Sequence, residues 1–156
     1  MLSDKYYWVV PNKILAGSYP SEKIIRDLVE DYNRVTVIDL TDELGNPAQV
    51  RVSGPRYYRR SIIDYCVPQQ SFMKRILNLV KNCVAEGDVV LIHCVGGRGR
   101  TGTVVGCLLV ELGLVKSGEE ALERITELRS NLIKAKQSSP ESFEQFEMVK
   151  NWKRGE

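Results

Sequence analysis

A thiol at Cys94 and a guanidinium at Arg100 share one glycine-rich stretch, His93-Cys94-Val95-Gly96-Gly97-Arg98-Gly99-Arg100-Thr101-Gly102. That pairing suits phosphate. The N–H groups of Val95, Gly96, Gly97, Arg98, Gly99 and Arg100 can converge on an anion, a helix beginning there favours negative charge, and Arg100 can grip two oxygens at once. Cys94 lies in the same field. Cysteines at helix N-termini beside cations titrate at ~3.5 to ~7.5 instead of ~8.5, so a thiolate nucleophile is expected.

The elements that must position this loop are readable from periodicity. Val89 to Ile92 is a continuous apolar run of the kind that fills a central parallel strand, and Thr103 to Val110 is apolar nearly all round, as in a buried helix. Upstream, Tyr6 to Val10 and Ile14 to Ala16 read as strands split by Pro11-Asn12, and Ser21 to Tyr32 as a helix with Ile24, Ile25, Leu28 and Val29 inward. Val35 to Leu40 and Tyr57 to Ile62 are strands around a turn-rich loop from Asp42 to Pro55. Phe72, Ile76, Leu79, Val80 and Cys83 recur at helical spacing across Ser71 to Glu86. After the loop everything is helical. Ser117-Gly118-Glu119-Glu120 predicts a capping box opening a helix through Leu128, and Ser138-Ser139-Pro140-Glu141 predicts the start of a last helix carrying Phe143, Phe146, Val149 and Trp152. The fold class that follows is α/β, a central, mainly parallel twisted sheet flanked by helices. Its active loop belongs at the carboxyl end of a middle strand.

A Cys, five residues, then Arg-Thr, with His in front, resembles the signature of the protein tyrosine phosphatases, and the short chain resembles their small dual-specificity branch. Asn12 to Pro20, Val37 to Thr41 and Ser61 to Pro68 fall in the same order and spacing as in that family. The resemblance implies a dual-specificity phosphatase-like sandwich acting on phosphotyrosine and phosphoserine or phosphothreonine in proteins through a cysteinyl-phosphate. It also implies an aspartate about thirty residues before the cysteine as general acid, and 94 − 64 = 30 selects Asp64. Thr101 is implied to ease departure of the sulfur, and Gln145, in Ser142-Phe143-Glu144-Gln145-Phe146, to orient the hydrolytic water. No metal or other cofactor is called for. The chain departs from small relatives at Arg129-Ser130-Asn131-Leu132-Ile133, where an Arg-Pro pair is usual, which leaves the path of that loop open.

Each residue has a plainer rival reading. Asp39, Asp42 and Glu43 compete with Asp64 as acids but suit structural contacts after the strand. His93 suits support of the loop by hydrogen bonding more than acid–base work. Arg98 points either to solvent or into the pocket mouth, where a basic residue also occurs in relatives that act on phosphoinositides. Arg56, Arg59 and Arg60, interleaved with Tyr57 and Tyr58, offer either a polyanion patch or a solvated strand edge. Cys66 either packs simply or forms a disulfide with Cys94 on oxidation.

Composition narrows the class. With 156 residues and 43% hydrophobic content, one catalytic domain over 1–156 is expected. A formal net charge of +2 falls far short of a dedicated nucleic-acid binder, and no apolar stretch reaches ~18 residues. A cytoplasmic monomer is expected, with phosphoproteins as substrates and phosphoinositides or RNA 5′-phosphate as the alternative. Cys66, Cys83, Cys94 and Cys107 match no zinc spacing, and a thiol nucleophile needs a reducing compartment. Gly97 to Gly102 satisfies a dinucleotide fingerprint, but the strand that should follow it is missing, and no Gly-Lys-Ser/Thr supports a nucleotide P-loop. A rhodanese-like sulfurtransferase and a non-catalytic phosphate-binding module remain as other classes.

Overall fold

The computed structural model describes residues 3–42 and 52–155. Along the chain run β1 (Tyr6–Val10), β2 (Ile14–Gly17), α1 (Glu22–Asp31), β3 (Val35–Asp39), β4 (Arg56–Arg59), α2 (Gln70–Ala85), β5 (Val89–His93), α3 (Arg100–Glu111), α4 (Gly118–Leu128) and α5 (Phe143–Lys150). The sheet order is β1-β2-β5-β3-β4, so the last strand made is the middle one. β2, β5, β3 and β4 are mutually parallel, and β1 folds back antiparallel on β2 through a turn at Asn12, whose φ of 61° is one that asparagine tolerates. The expected α/β class with a mainly parallel sheet is the one observed.

Alternation along the strands divides the core. Ile14, Ala16, Ile38, Val90 and Ile92 face one way and pack under α2, α3, α4 and α5, whereas Leu15, Val35, Val37 and Leu91 face the other way and pack against α1. Both faces being covered is why β3 and β5 are apolar without interruption. Every residue of α3 from Arg100 to Val110 is buried. It is the central helix of its layer, and its N-terminus meets the end of the central strand.

Several boundaries differ from the periodicity reading. On α2 the fully buried side chains include Met73 and Leu77 as well as Ile76, Val80 and Cys83, while Phe72 and Leu79 sit at the margin of the core. β4 ends at Arg59, because Arg60 to Ile62 leave the ladder to reach toward the catalytic edge, with the Ile62 N–H on the Leu40 carbonyl at 3.0 Å. In α4 the Ser117 hydroxyl caps Glu120 N–H, but the Glu120 carboxylate turns back to Lys116 N–H, one residue before the position a capping box requires. The capping box belongs to α5, where Ser142 and Gln145 exchange bonds, so that helix opens at Phe143 and not at Pro140. This rotates its face: Phe143 is 77% exposed, and Gln145 joins Val149 inside. The loop expected from Asp42 to Pro55 lies mostly outside the described residues, as does Glu43.

At the far end of the sheet Asp88 sits just before β5. Burial pushes its carboxyl pKa up, but hydrogen bonds from Thr36 and Arg56 and the charges of Arg56 and Arg34 outweigh that and hold it below the usual carboxylate range. Thr36 Oγ1 donates to Oδ2 at 2.6 Å, and Arg34 Nε to Oδ1 at 2.8 Å. Asp88→Ala leaves the buried Thr36 hydroxyl without its acceptor, at a cost of about 2 kcal/mol. The carboxylate stabilises the fold only while ionised. In urea unfolding the gap between wild type and D88A is therefore expected to be full at pH 7, and to close as pH falls below ~3.9 and through the depressed folded value.

Candidate active site

The four parallel strands deliver their carboxyl-end connections to one edge, and β5 delivers Cys94 to the middle of it. Val95 to Gly99 turn back over the strand end before Arg100 opens α3. Gly97 is the pivot. Its φ of 71° lies in the left-handed region, and a Cβ there would stand 2.5 Å from the Gly17 carbonyl carbon, so only glycine lets the loop rest on the end of β2. The Tyr19 N–H to Val95 carbonyl bond, 2.9 Å, fastens the other side of that contact. So folded, the loop turns the Gly97 N–H onto Cys94 Sγ at 3.2 Å.

Arg100 is 1% exposed. Its Nη1 donates to the Ile62 carbonyl at 3.1 Å and lies 3.4 Å from Asp42 Oδ1, while Nη2 lies 3.4 Å from Asp64 Oδ1. Sequence distance is thereby cancelled: Cys94, Arg100 and Asp64 line a single cavity of about 200 Å³, together with Val95, Gly96 and Gly99. Thr101 is fully buried one residue further along α3, and its hydroxyl has no hydrogen-bond partner among the described residues.

His93 and the rival carboxylate Asp39 fall into supporting places. Adjacent in register on β5 and β3, both are fully buried, with His93 Nε2 3.9 Å from Asp39 Oδ1 and His93 Nδ1 bonded to the Cys94 carbonyl at 3.1 Å. Since a carbonyl only accepts, Nδ1 carries the proton. Burial drives the imidazole pKa below its ordinary value despite the raising influence of Asp39 and of that carbonyl, so the ring is neutral at neutral pH. Asp39 meanwhile accepts from Thr41 N–H and Oγ1 and from the Tyr57 hydroxyl, bonds that fix the end of β3. The geometry separates it from Cys94 chemistry.

Arg98, with solvent and the pocket mouth both open to it, lines the Cys94 cavity, and its guanidinium is engaged by the chain before α5: Nε bonds the Ser138 carbonyl, Nη2 the Ser138 hydroxyl at 3.1 Å, and Nη1 the Glu141 carboxylate at 2.6 Å. Gln145, expected to orient water, is spent on architecture: Oε1 accepts from Glu141 and Ser142 N–H groups at 3.0 Å each, and Nε2 reaches the Cys66 carbonyl at 3.4 Å. Its amide also fills the place where a Cβ on Gly99 would go, 3.1 Å away. Gln145 thus stands between the phosphate loop and the segment that carries Asp64. Ser142 adds a second tie, its hydroxyl donating to the Tyr65 carbonyl at 2.7 Å. Tyr65, at φ 63° in the left-handed region, is a strained neighbour whose N–H donates to Asp64 Oδ1 at 3.0 Å. The pattern Ser142-x-x-Gln145 was a visible capping signal for this arrangement, whereas nothing in the sequence marks Tyr65.

The arginines of β4 take the plainer of their two readings. Arg56 pairs with Glu86 and Asp88 at the far end, Arg59 donates to the Thr41 carbonyl at 3.0 Å, and Arg60 stacks on Tyr58. Arg129 to Gln137, where the chain departs from its resemblance, runs as successive turns closed by Leu132, Ala135 and Gln137 N–H groups and tied to the N-terminal segment by Ile133 N–H on the Asp4 carbonyl. No helix is long and apolar enough to cross a membrane among the described residues.

Comparison with known proteins agrees with this geometry. The family model described as Swiss Army Knife protein, DSP-PTPase phosphatase domain, matches residues 3–149. Human dual specificity protein phosphatase CDC14A is 28% identical over 119 residues, covering 68% of this chain and 20% of that protein. The chain thus spans about a fifth of the length of that relative. Mouse phosphatidylglycerophosphatase and protein-tyrosine phosphatase 1 is 28% identical over 134 residues, covering 81% of this chain and 69% of that protein. Among solved structures, Tk-PTP in its active form superposes with a TM-score of 0.76 at 26% identity over 95% of each chain. PTPMT1 in complex with PI(5)P superposes with a TM-score of 0.76 at 27% identity, covering 94% of this chain and 93% of that one. With a family match over nearly its whole length and a cysteine loop closed on a buried arginine, this chain belongs to the DSP-PTPase phosphatase domains.

Proposed function

We propose that this phosphatase hydrolyses phosphotyrosine and phosphoserine or phosphothreonine in proteins by way of a cysteinyl-phosphate. The observation that carries the reading is the convergence of Cys94, Arg100 and Asp64 on one cavity, with Asp64 Oδ1 3.4 Å from Arg100 Nη2. A phosphate seated on the loop takes donors from the main chain and from the guanidinium, which spread the charge of its equatorial oxygens. Cys94 attacks phosphorus as thiolate, the ester P–O bond breaks, and Asp64 gives its proton to the departing oxygen. Asp64 then takes a proton from water, which attacks phosphorus and releases the sulfur as thiolate. The unpartnered Thr101 hydroxyl is a donor for that leaving sulfur. The chemistry needs no metal or other cofactor.

Access to the cavity favours both phosphotyrosine and the shorter phosphoserine and phosphothreonine. Exposed Tyr65 forms one lip and half-exposed Val95 another, an open rim that admits a short side chain together with its main chain. Phosphoinositides are the second reading, favoured by the likeness to PTPMT1 in its PI(5)P complex. The proposed mechanism works only while the Cys94 thiol stays reduced, which supports a cytoplasmic setting.

Cys94→Ser is expected to lower turnover of p-nitrophenyl phosphate by at least about 10⁴-fold, and quenched-flow mass spectrometry of wild type to show phosphate on Cys94. No adduct under any quench condition would refute the covalent route. Asp64→Asn is expected to cost about 10²- to 10³-fold on a phosphothreonine peptide and distinctly less on p-nitrophenyl phosphate, whose leaving group needs a proton less. Equal losses on both substrates would remove Asp64 from the acid role. Ser142→Ala, which frees the Tyr65 carbonyl, is expected to lower kcat for the phosphothreonine peptide while KM holds, because it displaces the acid and not the phosphate cradle.

A further inference from the structure

At the end of the sheet away from Cys94, where α2 and α3 stop beside the turn between β1 and β2, the surface holds an apolar groove of about 330 Å³. Ile14 and Val80, both buried, make its floor. Half-buried Val10, Val84 and Leu112 form the walls, and Leu114 stands at the mouth, 43% exposed. A contiguous apolar depression facing water marks an interaction site. No residue of the phosphate loop or of the Asp64 segment lines it.

The groove is built from parts already fixed. After α2, Gly87 N–H bonds the Val84 carbonyl and Asp88 N–H the Cys83 carbonyl, each at 3.0 Å. After α3, Gly113 N–H bonds the Val110 carbonyl and Leu114 N–H the Leu109 carbonyl, again at 3.0 Å each. Both ends are Schellman caps, in which the apolar residue after the glycine commonly packs back on its own helix. Leu114 instead keeps much of its surface in water. The third side is the tight turn closed by Lys13 N–H on the Val10 carbonyl at 3.0 Å. With two capped helix ends and a closed turn, little is left to order on binding, so a partner is met at low entropic cost.

Charge says what kind of partner fits. The charged residues of the lining are Lys13 and Lys81, with no carboxylate between them. Lys81 lies 3.8 Å from Glu111 Oε2, and the other oxygen of that carboxylate is taken by the Trp152 indole N–H at 3.1 Å and Gly155 N–H at 3.2 Å. The three charged residues of α2, Lys74, Arg75 and Lys81, are all cations. Apolar walls between cations call for an apolar ligand with negative flanks. Membranes are entered by apolar side chains that protrude, whereas these line a depression that receives them. The sheet gives the groove the last residue of β1 and the first of β2, not a strand edge, so recognition falls to side chains, as when an amphipathic helix lies in a groove.

We propose that this groove docks a second protein through a short acidic amphipathic helix, whose apolar face covers Val10, Val84 and Leu114 and whose carboxylates meet Lys13 and Lys81. The groove lies at the amino end of the parallel strands and Cys94 at their carboxyl end, so the partner stays bound while substrate enters. Docking there places the enzyme without blocking it.

The full chain is panned against a phage-displayed library of random peptides of about 16 residues, long enough for a helix, with Leu114→Asp as the counter-selected protein. Leu114 and Lys13 are surface positions, and L114D and Lys13→Glu are both expected to melt within about 4 °C of wild type. Peptides enriched on wild type are expected to carry apolar residues three and four positions apart, with Asp or Glu beside them. In fluorescence anisotropy they are expected to bind L114D at least about tenfold and K13E about threefold more weakly than wild type, and to bind wild type less as salt rises. Should L114D not fold, the loss on K13E decides alone. Peptides that bind wild type and the folded variants equally, or that are enriched in Lys and Arg, overturn the proposal. Failure to enrich any peptide overturns it too, and cosedimentation with phosphatidylserine vesicles that L114D abolishes would then assign this face to a membrane.

Discussion

One positive charge organises the catalytic edge of this molecule: the guanidinium of Arg100, almost wholly out of water. Such a burial is unfavourable unless acceptors surround the group. They come from different elements: the Ile62 carbonyl beyond β4, Asp42 beyond β3, and Asp64 from the connection to α2. The same residue opens α3, so its position is inherited from the most buried helix in the fold. Satisfying this one charge draws the Asp64 carboxylate to the cavity that Cys94 lines. A substrate phosphate is then the ligand that best completes a shell already built for oxygen.

A second constraint holds the Asp64 segment in place. The segment Asp64–Cys66 has no regular structure, and its register over the cavity is set by α5 through the Ser142 hydroxyl and the Gln145 amide. Gln145 is wedged between this segment and Gly99, so the cradle and the acid share one buried strut. The Arg98–Glu141 pair ties the loop to the same stretch from outside. A positional error of one ångström at a reacting group is expensive in rate, which is reason enough for a polar network at the start of a short helix.

Charges elsewhere are distributed by the ends of the sheet. Asp88, Arg34 and Arg56 compensate one another at the amino end of the parallel strands. At the carboxyl end Arg100 is met by Asp42 and Asp64, whereas Arg129 has the Gln137 carbonyl and no acidic partner among the described residues.

The placing of Cys94 and Arg100 on one loop, the strand before them and the helix after them were determined by local sequence, because a strand–loop–helix with glycines at fixed places is a short-range object. Asp64 needed family spacing, since nothing around it is periodic. The face of α5, the commitment of Arg98 and the task of Gln145 were decided only by tertiary packing. A side chain with several donors can serve water, phosphate or its own backbone, and only the neighbours brought by the fold determine which. The start of α5 shows the limit most plainly: Pro140 is a good first residue of a helix in isolation, but Ser142 and Gln145 close a better cap, and moving the start there turned Phe143 outward and Gln145 in.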